Sequence, residues 1–242
     1  MLAVVRHGAR EDDLPRNRKQ NSEVYFDPAL SSLGEVQSQA TGKYMAEYFR
    51  RKGFLDISTS IRIISSPFLR TLQTAVIIAD ELRCKEVQIW NPICEELKEN
   101  LFESFPIPHL NFYLHDVKFI QEKFLKGKKI KLIEMEDPEE ILTPLAFPEN
   151  EARNSSSKPS TRAKLSIDYI LQNQFSHYSN DSNELLPQII ILVTHAFFLD
   201  PFVQYFSRET HCNDRNYCSI SLAKHFDNSW KLVENCSSEH II

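Results

Sequence analysis

Gln188-Ile189-Ile190-Ile191-Leu192-Val193-Thr194 is an unbroken apolar run that stops at His195. A strand with one wet face alternates apolar and polar residues, so a continuous run of this length predicts a strand covered on both faces, as in a parallel sheet. Leu2-Ala3-Val4-Val5 repeats the pattern on a smaller scale and stops at Arg6-His7-Gly8. Outward from these two, Arg62 to Ser65 and Val87 to Trp90 read as further strands, with Ser219 to Ala223 and Trp230 to Val233 closing the chain. Helical spacing fills the intervals. Val36, Ala40, Tyr44 and Tyr48 recur at four-residue steps to about Arg51, with Ser31 or Ser32 as N-cap and Gly53 just past the end. Leu72, Ala75, Val76 and Ala79 mark one face of a helix from Leu69 to Leu82. Further helices are expected near Phe112 to Leu125, Arg162 to Asn173 and Pro201 to Phe206. Strands alternating with helices predict an α/β fold, a three-layer α/β/α sandwich on a largely parallel sheet. Prolines at 106, 108, 144 and 148 break the pattern between about 97 and 160. The chain therefore reads as a single domain over 1–242 with an inserted cap at about 97–160.

Composition narrows the function. The 28 Lys and Arg against 33 Asp and Glu give a net charge of −5 over 242 residues, so no global field draws the chain to nucleic acid or to an anionic membrane. The five glycines are never spaced as a dinucleotide or P-loop motif requires. No apolar run approaches the roughly 18 residues of a membrane span. The five cysteines are odd in number and lack C-x-x-C spacing, which predicts reduced thiols, neither a disulfide framework nor a zinc site, and a cytoplasmic location. No cysteine is followed six positions on by arginine, so a cysteine-dependent phosphatase loop is absent.

In a parallel sheet, reactive groups gather beyond the carboxyl ends of the strands. Four predicted strands end in such groups: Arg6, His7 and Arg10; Ser65-Ser66-Pro67-Phe68-Leu69-Arg70; Glu95-Glu96; and His195. Arginine forks bind the oxygens of a phosphoryl group in pairs, where lysine acts only as a point charge. A neutral imidazole in line with phosphorus can attack it and form a phosphohistidine. The arginines counter the charge that moves in the transition state. A protonated carboxyl, Glu95 or Glu96, would supply the leaving group's proton and then serve as base for water.

These residues resemble the histidine phosphatase (phosphoglycerate mutase-like) superfamily. Val4-Val5-Arg6-His7-Gly8 looks like its nucleophile motif, Ser65 through Ala75 its second arginine motif, and Val193-Thr194-His195-Ala196 its second histidine motif. The resemblance implies His7 as nucleophile, Arg6, Arg10, Arg70 and His195 as the phosphate pocket, and a glutamate as proton donor. The two imidazole rings would converge face to face around one tetrahedral anion. The family's hydrophobic-x-Glu pattern fits Ile93-Cys94-Glu95 better, while Glu96 lies four residues after Pro92. Arg10, the stretch Asp27 to Ser31 and Asp200 are most similar to the phosphatase domain of the ubiquitin-associated and SH3 domain-containing proteins. That implies a metal-independent phosphomonoesterase of the histidine acid phosphatase type, without cofactor, acting on a phosphorylated small molecule or a phosphoprotein such as a phosphotyrosyl one. The alternatives are a silent phosphate-binding or interaction module and a mutase. Mutases of the family carry Ser and Asn soon after R-H-G, where this chain has Ala9-Arg10-Glu11-Asp12. Specificity is expected from the loop 10–25 and the insertion.

Overall fold

The computed structural model describes residues 1–13, 27–54, 59–96, 116–125, 127–138, 141, 159–175 and 188–241. Among these, seven strands form one sheet: β1 (Leu2–Arg6), β2 (Ser60–Ser65), β3 (Glu86–Ile89), β4 (Lys131–Glu134), β5 (Gln188–Thr194), β6 (Ile220–Phe226) and β7 (Ser229–Ser237). The order is β4-β3-β2-β5-β1-β6-β7. The first five in that order run parallel, and β6 and β7 complete the sheet antiparallel. The helices are α1 (Ser32–Arg51), α2 (Leu69–Glu81), α3 (Val117–Lys123), α4 (Pro159–Gln174) and α5 (Ala196–Phe206). This is the expected α/β sandwich.

Side-chain parity builds the two cores. Ala3, Val5, Ile189, Ile191 and Val193 face one layer with Met45 and Phe49 of α1, Leu72 and Val76 of α2 and Ile120 of α3. Leu2, Val4, Ile190 and Leu192 face the other, with Ala163 and Ile167 of α4 and Phe198 and Phe202 of α5. The run at 189–193 is thus buried on both sides, as its unbroken hydrophobicity demands. Each such side chain contributes about 1.5–3 kcal/mol relative to exposure. Register then sets the function: Arg6 pairs with Thr194, and Ser65 with Val193. β1, β2 and β5 therefore finish level, and the loops that leave them emerge together at one edge of the sheet.

Three expectations are corrected. The sequence reading places no strand between 97 and 160, but Lys131–Glu134 adds an edge strand to β3. Its inward side chain is Leu132, with Ile130 just before it, too brief an alternation to register. The last long helix starts at Ala196, not Pro201, which lies inside it. Proline suggests a helix start, yet Phe198, Leu199, Phe202, Val203 and Phe206 keep helical spacing through it. Third, Cys212 and Cys236 form a disulfide 24 residues apart. β7 carries Cys236 alongside the 207–218 loop with Cα atoms 5.5 Å apart, within bridging range, and local spacing rules cannot see such a pair. Reduced thiols are found at Cys84, Cys94 and Cys218, so the argument from cysteine to a cytoplasmic location loses its support. Among the described residues, no helix is long and apolar enough to cross a membrane.

Candidate active site

β1 delivers His7 into a loop that is locked from three sides. Its amide donates to the Thr194 carbonyl (3.0 Å), the Gly8 amide to Thr74 Oγ1 of α2 (3.1 Å), and the Ala9 amide to Gln37 Oε1 of α1 (2.9 Å). Here glycine is required by contact: a Cβ on Gly8 would lie 2.5 Å from the Gly34 carbonyl oxygen, and one on Gly34 would lie 2.1 Å from that of Ala9. α1 begins at this junction, its first turn capped by Ser31 Oγ accepting from the Gly34 amide.

The loop fixes the tautomer of His7. Its Nδ1 lies 2.8 Å from the Gly8 carbonyl oxygen, which can only accept, so Nδ1 carries the proton and Nε2 keeps its lone pair. Arg70 Nε donates toward that Nε2 at 3.4 Å. Burial holds the His7 pKa well below 6.5, with the positive charge of Arg70 adding to it. The imidazole is neutral at pH 7.

Arg70 is the second residue of α2, where a cation opposes the helix dipole. Asp27 offsets this from below: its Oδ1 accepts from the Leu69 amide (2.7 Å) and lies 3.7 Å from Arg70 Nη1. Burial pushes the Asp27 carboxyl up to about 7 despite Arg70. Arg70 Nη2 reaches Glu95 Oε2 (3.2 Å) and lies 3.3 Å from His195 Nδ1.

β5 delivers His195, fully buried. Ser66, just past β2, places Oγ 2.8 Å from its Nε2, and Glu95 Oε2 is 3.1 Å from its Nδ1. The set is consistent with Ser66 donating to Nε2 and Nδ1–H donating to Glu95. Burial lowers the His195 pKa to about 4 against the pull of Glu95. For Glu95 itself burial resists ionisation, but the hydrogen bond from His195 and the charge of Arg70 outweigh it and hold the carboxyl well below the usual carboxylate range. Of the two sequence candidates, Glu95 is the one brought to the histidine pair. The rings of His7 and His195 lie 5.3 Å apart, edge to face, where the sequence reading expects them face to face.

Arg6 sits beside this group, its guanidinium 4.1 Å from the Tyr217 ring centroid and its Nη1 donating to the Arg215 carbonyl. Arg6 Nε and Arg70 Nη1 are buried without a hydrogen-bond partner among the described residues. Buried, unsatisfied guanidinium donors are costly unless an acceptor anion completes them. Arg10 is placed differently. Its fork is taken by Asp12, at 2.8 and 2.5 Å, with Asp13 at 3.9 Å, and the expected phosphate contact competes with that pair. His7, Glu95 and His195 offer three donor atoms within 4.8 Å of one another, a set that can ligate a metal. The Arg70 guanidinium already lies against all three, so the group is built around a fixed cation and suits an anion better.

Sequence reasoning gave no role to Asp27, Ser66, Thr74 or Thr194, although each lies within or beside a quoted motif. Tyr217 carried no signal. Its ring is 5.4 Å from that of His7 and its hydroxyl donates to Asp13 at 2.6 Å. Loop residues 14–25 and much of the expected cap fall outside the described residues.

Residues 2–102 match the profile of the histidine phosphatase superfamily (branch 1). No curated protein sequence matches. Among solved structures, the chain is similar to the ecdysone phosphate phosphatase of Bombix mori in complex with tungstate, at TM-score 0.57 and 16% identity over 98% of this chain and 93% of that one. It is similar to a phosphoglycerate mutase from Bacillus anthracis str. Sterne, at TM-score 0.57 and 14% identity, covering 99% and 94%. It also matches a phosphoserine phosphatase variant from Entamoeba histolytica in complex with phosphoserine, at TM-score 0.51 and 17% identity, covering 100% and 98%. Identities this low carry the fold alone. The profile match over residues 2–102 agrees with the superfamily that the motifs resemble, and the solved structures add the fold.

Proposed function

We propose that this chain is a phosphomonoester hydrolase of the histidine phosphatase superfamily that works through a phosphohistidine at His7. The observation that carries the reading is the state of His7: neutral, its Nδ1 proton committed to Gly8, its Nε2 lone pair facing the buried Arg70 guanidinium. A phosphoryl group seated on Arg6, Arg70 and His195 would present its phosphorus to Nε2. The N–P bond forms as the P–O bond to the leaving alcohol breaks, and Glu95 gives that oxygen its proton. Water then attacks phosphorus, Glu95 takes a proton back, and inorganic phosphate leaves with His7 restored.

Glu95 is ionised in the phosphate-free protein, so the proton must arrive with substrate. A phosphoryl group next to Glu95 counters the pull of Arg70, and the carboxylate takes up a proton as the complex forms. His7, Glu95 and His195 are therefore assigned to catalysis, and Arg6 and Arg70 to phosphate binding, with Arg10 reaching the phosphate only if it leaves Asp12. For substrate we infer a small phosphorylated metabolite or a phosphotyrosyl group, the latter on the resemblance of Arg10, Asp27 to Ser31 and Asp200 to the ubiquitin-associated and SH3 domain-containing phosphatases. The 1–242 span is assigned to one domain with the 97–160 region as its cap.

The test is turnover of p-nitrophenyl phosphate with chelator present. Release of inorganic phosphate that disappears in His7→Ala supports the reading. Phosphate binding without turnover would make the chain a silent module, and transfer between positions of a phosphorylated sugar acid without release would make it a mutase.

A further inference from the structure

The segment that carries Glu95 is short, irregular and buried. Asn91–Ile93 forms one turn of 3-10 helix, Ile93 and Cys94 are fully enclosed, and its internal backbone bond runs from the Cys94 amide to the Asn91 carbonyl. Buried carbonyls outside regular structure need donors from elsewhere. Arg162 and Thr194 supply them to four consecutive residues, and Ser166 Oγ adds a longer bond to the Pro92 carbonyl (3.5 Å). Arg162 of α4, itself 2% exposed, donates from Nη1 to the carbonyls of Pro92 (2.7 Å) and Cys94 (2.9 Å) and from Nη2 to that of Glu95 (3.1 Å). Thr194 Oγ1 donates to the carbonyl between them, that of Ile93, at 2.7 Å. The Arg162 guanidinium is stacked 4.8 Å from the Phe197 ring of α5, which fixes its plane.

Burying a guanidinium costs several kcal/mol unless it is well partnered, and carbonyls alone could be satisfied by cheaper groups. What distinguishes this arrangement is the choice of carbonyls. The outermost belongs to Glu95, and Thr194 immediately precedes His195, so the acid and the second imidazole hang from one clamp. We infer that Arg162 is a positioning residue for Glu95: with Thr194 it holds the 92–95 backbone so that the carboxylate meets His195 and Arg70 and stands where the leaving oxygen departs. The inference rests on the proposed role of Glu95 as proton donor. It predicts a defect in proton delivery, which a residue serving burial alone would not produce. Arginine's fixed fork makes the lysine variant a partial replacement at most.

The experiment compares wild type, Arg162→Met, Arg162→Lys, Thr194→Val and Glu95→Gln on two esters, p-nitrophenyl phosphate, whose leaving group needs little protonation, and phenyl phosphate, whose leaving group needs more. Arg162→Met and Thr194→Val are expected to lose at least about tenfold more kcat/KM on phenyl phosphate than on p-nitrophenyl phosphate, as Glu95→Gln does, with Arg162→Lys between. Equal losses on the two esters would overturn the inference. A second readout needs no turnover: the downfield proton resonance of His195 Nδ1 in the phosphate-free protein, assigned by its loss in Glu95→Gln. It is expected to shift or vanish in Arg162→Met and Thr194→Val, and an unmoved resonance overturns the inference. Should Arg162→Met fail to fold, Thr194→Val decides by the same criteria. A wild type without turnover would defeat the proposed function, while the resonance would still judge the clamp.

Discussion

The candidate site has a buried floor around Arg70 and a part-exposed rim around Arg10, and both pair arginines with carboxylates, but under different solvent. At the floor, Arg70 is buried against Glu95, Asp27 and two imidazoles and still has an unsatisfied Nη1. At the rim, Arg10 closes a bidentate pair with Asp12, both about one-third exposed, and Tyr217 bonds Asp13 nearby. The floor's charges are therefore strong, fixed and incompletely matched, the condition for binding an anion tightly. The rim's charges are matched among themselves and screened by water. A carboxylate count would rank the two alike; burial separates them.

The largest break in this contrast comes at the floor. His7→Ala is expected to cut phosphatase turnover by on the order of a thousandfold or more while the fold persists, measured as phosphate release beside a melting curve. Turnover within tenfold of wild type would remove the nucleophile assignment. Arg70→Met is next, since it strands Glu95 and Asp27 as buried carboxylates. A loss of about 3–5 kcal/mol in denaturant unfolding is expected, together with loss of phosphate binding by calorimetry. The 207–218 loop, which carries Tyr217 to the rim, is tested by Cys212→Ser. Opening the loop between Cys212 and Cys236 should cost about 3 kcal/mol of stability in non-reducing buffer, with a smaller effect on turnover than either floor variant.

Titration sharpens the contrast further. His7 and His195 are held neutral in the fold, with His195 at about 4, whereas unfolded imidazoles take up protons near pH 6.5. In that window the unfolded chain binds more protons, so stability falls as pH drops from about 6.5 toward 4. Asp27 acts in the opposite sense. Its folded value of about 7 exceeds its ordinary one, so its contribution is present at low pH and is lost as pH rises through 7. Melting temperature is thus expected to rise from pH 4 and level off near neutrality, since two imidazoles outweigh one carboxyl in that window, and Asp27→Asn should steepen the rise; a profile that is flat from pH 4 to 8 contradicts both. The smallest effect is expected from Arg10→Gln, which breaks a part-exposed pair worth about 0.2–1 kcal/mol. A large rise in KM would mean that Arg10 leaves Asp12 for the phosphate and that the rim belongs to the binding site.

The elements of this protein were written locally. The run at 188–194, the four-residue steps of α1 and the Ser31 cap depend on neighbours within one or two turns, so the α/β class and the strand-end positions of His7, Arg70 and His195 follow from the residues in order. Glu95 against Glu96 could not be settled that way, because adjacent residues differ only in what the fold brings to them. The same holds for Arg162, which has no motif and matters through carbonyls some 70 positions earlier, and for the pairing of Cys212 with Cys236. Arg10 and Arg70 carry the same side chain. The charge each presents is set by desolvation and by partners from distant strands, and those exist only once the sheet has closed.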